Sequence, residues 1–83
     1  MSISKILIAD DHPMIRNALR NTLTEVDGRL QIMEADSLGQ VAELLEQETK
    51  IDLILLDLSM PGSHGLSGVI FASGFRPEIP IVI

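Results

Sequence analysis

Two runs, KILIA at 5–9 and IDLILL at 51–56, constrain this chain more than any other feature. Both are aliphatic with little alternation of apolar and polar residues. That is the pattern of strands covered on both faces, not of strands with one wet side. Such strands belong to parallel sheets, whose crossover helices lie on the two faces. The intervening sequence supplies those helices. Pro13 suits a first helical turn, where its missing N–H costs nothing. The segment MIRNALRNTLTEV then places Ile15, Ala18, Leu19, Thr22, Leu23 and Val26 at helical spacing, and Asp27-Gly28 closes it. A second strand is expected near 30–35. Ser37 with Gln40 three residues on forms a capping box, which opens a helix with Leu38, Val41, Ala42 and Leu45 on one face.

The third strand, 51–56, ends at Asp57 in the loop DLSMPGSHG. A weaker helix follows over 66–73, with Leu66, Val69, Ile70 and Ser73 as its inner stripe. Gly68 and Gly74 weaken it, and its uncharged outer face is a candidate contact surface. Arg76-Pro77 breaks the chain, and IPIVI at 79–83 begins a fourth strand. The order βαβαβαβ reads as an α/β domain with a parallel sheet and right-handed crossovers.

Eighty-three residues suffice for one small domain. The chain has no cysteine, so disulfides, thiol catalysis and thiolate metal sites are excluded. Its net charge is −6, and the six basic residues are scattered along the sequence. Nothing supplies the basic face that direct nucleic-acid binding needs. No apolar run approaches a membrane span, and the first residues do not read as a secretory leader, so a soluble, cytoplasmic protein is expected. A fourth apolar strand with nothing after it would be an exposed edge. The chain therefore reads as a domain cut short, or as one whose edge another chain covers.

Ligands of parallel α/β sheets bind beyond the carboxyl ends of the strands. Asp10 and Asp11 follow the first strand and Asp57 ends the third. If these strands are neighbours, three carboxylates meet at one rim, where a hard divalent cation would offset their repulsion. A cation held in this way suits phosphoryl transfer, with Asp57 as nucleophile. Each acid also has an ordinary reading. A lone Asp at a strand end is usually a turn former, and Asp10 or Asp11 could cap the helix at Pro13. His12 reads as a partly exposed residue at the helix start, His64 as solvent-facing, and Met60 as packing.

The stretches ILIADDHPMIRNALRNTL, DLILLDLSMPGSHG and IPIVI resemble the receiver domain of two-component response regulators. The family's pattern D-x-x-M-P-x-x-x-G is met by Asp57, Met60, Pro61 and Gly65, and DDHP resembles the LuxR/NarL type. The resemblance implies a flavodoxin-like (CheY-like) α/β fold of strand order 2-1-3-4, here reaching only to strand 4. It would lack helix 4, strand 5 and helix 5, and no effector domain is expected within residues 1–83. It further implies that Asp57 is the phosphoacceptor. Mg²⁺ would be held by Asp11 directly, by Asp10 mainly through metal-bound water, by Asp57 and by the backbone carbonyl of Ser59. Pro61 and Gly65 would shape the loop.

The implied partner is a sensor histidine kinase, and DNA would be contacted only through a separate helix-turn-helix domain. Such a domain signals and is not an enzyme in the ordinary sense. The family's switch hydroxyl and phosphate-pairing Lys would fall beyond Ile83, so this segment alone is expected to phosphorylate poorly. One rival reading is a structural module that forms a homodimer through the fourth strand and third helix. A flavin-binding flavodoxin-like protein fits less well, because acids stand where an FMN phosphate would sit. A haloacid-dehalogenase-type phosphatase is disfavoured, since it would need a D-x-D pair and none occurs in the sequence.

Overall fold

A computed structural model describes residues 3–48, 50–60 and 67–83. The elements are β1 (Lys5–Ala9), α1 (Pro13–Val26), β2 (Gln31–Ala35), α2 (Leu38–Gln47), β3 (Leu53–Leu56), α3 (Ser67–Phe75) and β4 (Ile81–Val82). The four strands form one parallel sheet in the order β2-β1-β3-β4. The flavodoxin-like α/β expectation therefore holds, including the reversal in the order of strand addition that sets β1 beside β3.

The start of α2 follows its sequence signal with one variation. Ser37 Oγ accepts from the Gln40 N–H, while Gln40 Oε1 accepts from the Asp36 N–H, one residue before the usual partner. The end of α2 is held from a distance. Arg76 Nη1 donates to the carbonyls of Leu45 and Glu48, both at 3.0 Å. These are among the carbonyls that a helix C-terminus leaves without partners.

Strand alternation divides the core. Leu7, Ala9, Ile54 and Leu56 point towards α2 and α3, where they join Val41, Leu45, Met60 and Ala72 in one buried cluster. Met60 is thus a packing residue, as its sequence reading expects. Ile6 and Ile8 belong to the opposite face, against which α1 packs. There α1 buries none of its residues completely, and Ile15 is 47% exposed. One face of the sheet is closed and the other only partly covered.

Two expectations need correction. The inner stripe of α3 keeps Val69, which packs against the core, but not Ile70 or Ser73: Ile70 is 70% exposed and Ser73 is exposed, while Ala72 is fully buried and Gly68 is buried beside it. Small residues one turn apart let α3 lie close on α2, so size, not hydrophobicity, selects the buried side. On the other side Phe71 and Phe75 stack on each other, with ring centroids 6.0 Å apart. The third and fourth strands are also shorter than their apolar runs. Ile51 is buried but precedes β3, and the ladder to β4 comprises Ile54↔Ile81 and Leu55↔Val82.

Candidate functional site

The parallel register sets the acids at one rim. Ala9 pairs with both Ala35 and Leu56, so the residues that follow, Asp10 and Asp57, leave the sheet at the same level. Their backbones remain tied to it. Asp10 N–H donates to the Ala35 carbonyl and Asp57 N–H to the Ala9 carbonyl, both at 2.9 Å. A second tie comes from α1, where Arg16 Nη1 donates to the Asp10 carbonyl at 2.7 Å. Arg16 Nε and Arg20 Nε in turn donate to the two oxygens of Glu34 on β2, at 2.9 and 2.8 Å. Both guanidiniums hold the Glu34 carboxyl below its ordinary range, Arg20 more strongly than Arg16. The sequence reading did not pick out this clamp. Its signal was Arg16 and Arg20 four residues apart on one helix face.

The acids converge. One ligand atom from each of Asp10, Asp11, His12 and Asp57 can be chosen so that all lie within 4.8 Å of one another. Asp10 is buried, with 8% of its surface exposed. Its Oδ1 accepts from the His12 backbone N–H at 2.8 Å, forming a turn ahead of α1. The N-cap position of α1 is His12, which makes no side-chain cap, so neither acid is explained as a helix cap. Asp11 Oδ1 is closed off from solvent and has no hydrogen-bond partner among the described residues.

Asp57 is shaped by Ser59. Its Oδ1 accepts from the Ser59 N–H at 3.0 Å and from Oγ at 2.9 Å, and its Oδ2 lies 3.0 Å from the same hydroxyl. The Ser59 N–H, then its hydroxyl and nearby His12, hold the Asp57 carboxyl below the ordinary carboxylate range. Asp57 is therefore ionised at neutral pH and carries a full negative charge. Sequence reading singled out the backbone carbonyl of Ser59, whereas the contacts seen here are those of its N–H and hydroxyl with Asp57.

His12 is exposed, as expected, yet its Nδ1 reaches into the cluster. It lies 2.8 Å from Asp10 Oδ1, 3.0 Å from Asp11 Oδ1 and 3.7 Å from Asp57 Oδ2. The hydrogen bond to Asp10, followed by the charge of Asp11, raises the imidazole pKa. The acids and His12 form the polar end of a groove of about 580 Å³ on the partly covered face. Its walls are apolar, with Ile15 and Leu19 from α1 and Leu55 and Val82 from the sheet. Pro61, His64 and Gly65 lie outside the described residues.

Residues 6–83 match the family model of the response regulator receiver domain. The chain belongs to that family. Among curated relatives, the glycerol metabolism activator of Pseudomonas putida is 48% identical over 79 residues, which are 95% of this chain and 36% of that protein. Response regulator GacA of Pseudomonas aeruginosa is 32% identical over the same shares. The chain thus spans about a third of the length of these relatives. Among solved structures, the MaeR response regulator bound to beryllium trifluoride superposes with a TM-score of 0.85 at 22% identity, covering 96% of this chain and 65% of that one. A LuxR family DNA-binding response regulator from Silicibacter pomeroyi gives 0.82 at 26% identity, covering 96% and 62%. Receiver domains are signalling domains that generally bind Mg²⁺ at an acidic pocket. The donor set of this receiver suits such an ion, with three carboxylates at one rim and one buried carboxylate oxygen that accepts no hydrogen bond among the described residues and has only the His12 imidazole beside it.

Proposed function

We propose that this receiver accepts a phosphoryl group on Asp57 from the phosphohistidine of a sensor kinase, with Mg²⁺ bound at the acidic rim. A carboxylate oxygen of Asp57 attacks phosphorus, the new O–P bond forms as the N–P bond of the donor breaks, and the nitrogen keeps the bonding pair. The observation that carries this reading is the convergence of Asp10, Asp11 and Asp57 at the carboxyl ends of β1 and β3. Asp10, Asp11, Asp57 and the Ser59 carbonyl would hold the ion. When bound, the ion neutralises the phosphoryl oxygens during transfer. Ser59 meanwhile keeps Asp57 ionised and fixes its orientation through the paired contacts to Oδ1.

The whole protein would couple this event to a DNA-binding domain of the LuxR type outside residues 1–83. The likeness to a LuxR family regulator supports that reading, as does the absence of a basic run in the sequence. The family's switch hydroxyl and phosphate-pairing Lys would likewise come from beyond Ile83. The protein would act in the cytoplasm, and no described helix is long and apolar enough to cross a membrane. Kinase-dependent phosphorylation of the full-length protein tests the proposal. Asp57→Asn should abolish it, and undiminished labelling would overturn the assignment.

A second reading, a dimerising interaction module, is favoured by the incompletely covered α1 face and by exposed Ile70, Phe71 and Phe75 on α3. Light scattering distinguishes it, since a strict monomer at all concentrations would exclude it.

A further inference from the structure

We propose that the edge of α3 formed by Phe71 and Phe75 is the seat of a helix from the same polypeptide, supplied by residues after Ile83 in the whole protein. The phase of α3 sets this edge apart. Helical hydrogen bonding runs on to Arg76, whose N–H donates to the Ala72 carbonyl at 2.9 Å. At about 100° per residue, Arg76 lies about 40° to one side of Ala72, while Phe75 and Phe71 lie about 60° and 100° to the other. The Arg76 side belongs to α2, since its guanidinium reaches the carbonyls of Leu45 and Glu48. The two rings therefore flank the side of α3 turned away from α2. They stack on each other and remain 37% and 43% exposed. No residue of α3 is charged, so the edge asks for an apolar neighbour.

Sheet order names the occupant. Helices α2 and α3 carry the chain across the sheet from the β2 side towards β4, and both pack on the face of Leu7, Ile54 and Leu56. Helix α1 carries it the opposite way, from β1 to β2, and lies on the other face. Right-handed crossovers tie the face to the direction of travel. The outer edge of β4 pairs with no other strand among the described residues. A further strand added there continues the direction of α2 and α3. Its crossover helix would land on their face, beyond α3, against Phe71 and Phe75. The chain spans about a third of its relatives' length, which leaves ample sequence for such a helix. Two rings one helical turn apart suit aliphatic side chains spaced three and four residues apart on the incoming helix. An occupant from the same polypeptide also withdraws both rings from any surface open to a second copy, leaving only Ile70 outside.

Hydroxyl-radical footprinting of the full-length protein, read by peptide mass spectrometry over a range of protein concentrations, tests this without any variant. Relative to the urea-unfolded chain, Phe71 and Phe75 should be protected nearly as strongly as buried Leu45, while Ile70 keeps most of its reactivity. The protection should not change on dilution. In the same protein, nuclear Overhauser effects should connect the two rings to aliphatic protons of residues numbered above 83. Rings as reactive as Ile70, or contacts only to residues within 1–83, would overturn the proposal. Protection that fades on dilution would overturn it in favour of a second copy. None of these outcomes depends on Asp57, so labelling of that residue stands or falls separately.

Discussion

Replacing Glu34 by Gln probes how this receiver holds its acid rim in place. The Glu34 carboxylate joins β2 to α1 by accepting from Arg16 and Arg20, and Arg16 also donates to the Asp10 carbonyl. A unit charge pair near 4 Å attracts by about 4 kcal/mol at the effective dielectric of a protein surface. Most of that is offset by desolvation and by ordering three long side chains. Measured exposed pairs retain only about 0.2–1 kcal/mol. Glu34 and Arg16 are better shielded, with side chains 27% and 18% exposed, while Arg20 is 40% exposed. Hydrogen bonds to charged groups contribute about 1.5–3 kcal/mol each. A loss of about 1–2 kcal/mol is the balance of these effects.

The chain has no Trp or Tyr, so urea unfolding must be followed by far-UV circular dichroism. With a slope near 1 kcal/mol per molar urea for a domain of this size, the midpoint should fall by about 1–2 M. The pH dependence supplies the sign. The folded Glu34 pKa lies below its unfolded value of 4.5. The contribution is therefore complete above the unfolded pKa and lost as pH falls through the folded one. Glu34→Gln should consequently cost less and less as pH falls below 4.5 and through the lowered folded pKa, compared with its cost at neutrality. A cost that does not change with pH, or that is as large in an Arg16→Met, Arg20→Met background, would refute the clamp.

Other consequences concern single contacts. Arg76→Ala removes the donor that serves the last carbonyls of α2 and should cost about 1–2 kcal/mol, visible as a lower urea midpoint. Ala72→Leu overpacks the α2–α3 contact and should cost about 1–3 kcal/mol in the same assay. Ile70→Ser on the exposed side should stay within about 0.5 kcal/mol, and the reverse ranking would contradict the assigned face of α3. Ser59→Ala should raise the Asp57 pKa part of the way towards 3.8, because the backbone N–H contact remains. Carboxyl ¹³C titration would show this, and an unchanged or lower value would contradict the contact.

The legible parts of this receiver were those that local chemistry decides. Lys5 and Asp10 bracket an apolar run, so β1 appears where its residues alone place it. Ser37 and Gln40 mark the start of α2 in the same way. The acids could be brought together on paper because strand order fixes which ends are neighbours. The less legible parts depend on partners distant in sequence. The length of β4 is set by its ladder to β3, not by the apolar run 79–83. The buried side of α3 is set by its approach to α2, which favours Gly68 and Ala72 over the larger Ile70. Arg16 looks like an ordinary helix-surface charge until β2 brings Glu34 beneath it. His12 looks exposed, and is, but the turn that begins at Asp10 carries its ring nitrogen into the cluster.

The central claim is that Asp57, supported by the rim acids and Mg²⁺, is the residue that becomes phosphorylated. Full-length protein incubated with acetyl phosphate and Mg²⁺ can be reduced with borohydride, which converts an aspartyl phosphate to homoserine. Peptide mass spectrometry then reads the position. The account predicts homoserine at residue 57, its loss when Mg²⁺ is chelated, and its absence in Asp57→Asn. Homoserine at another aspartate, or undiminished conversion at residue 57 without the metal, would contradict it.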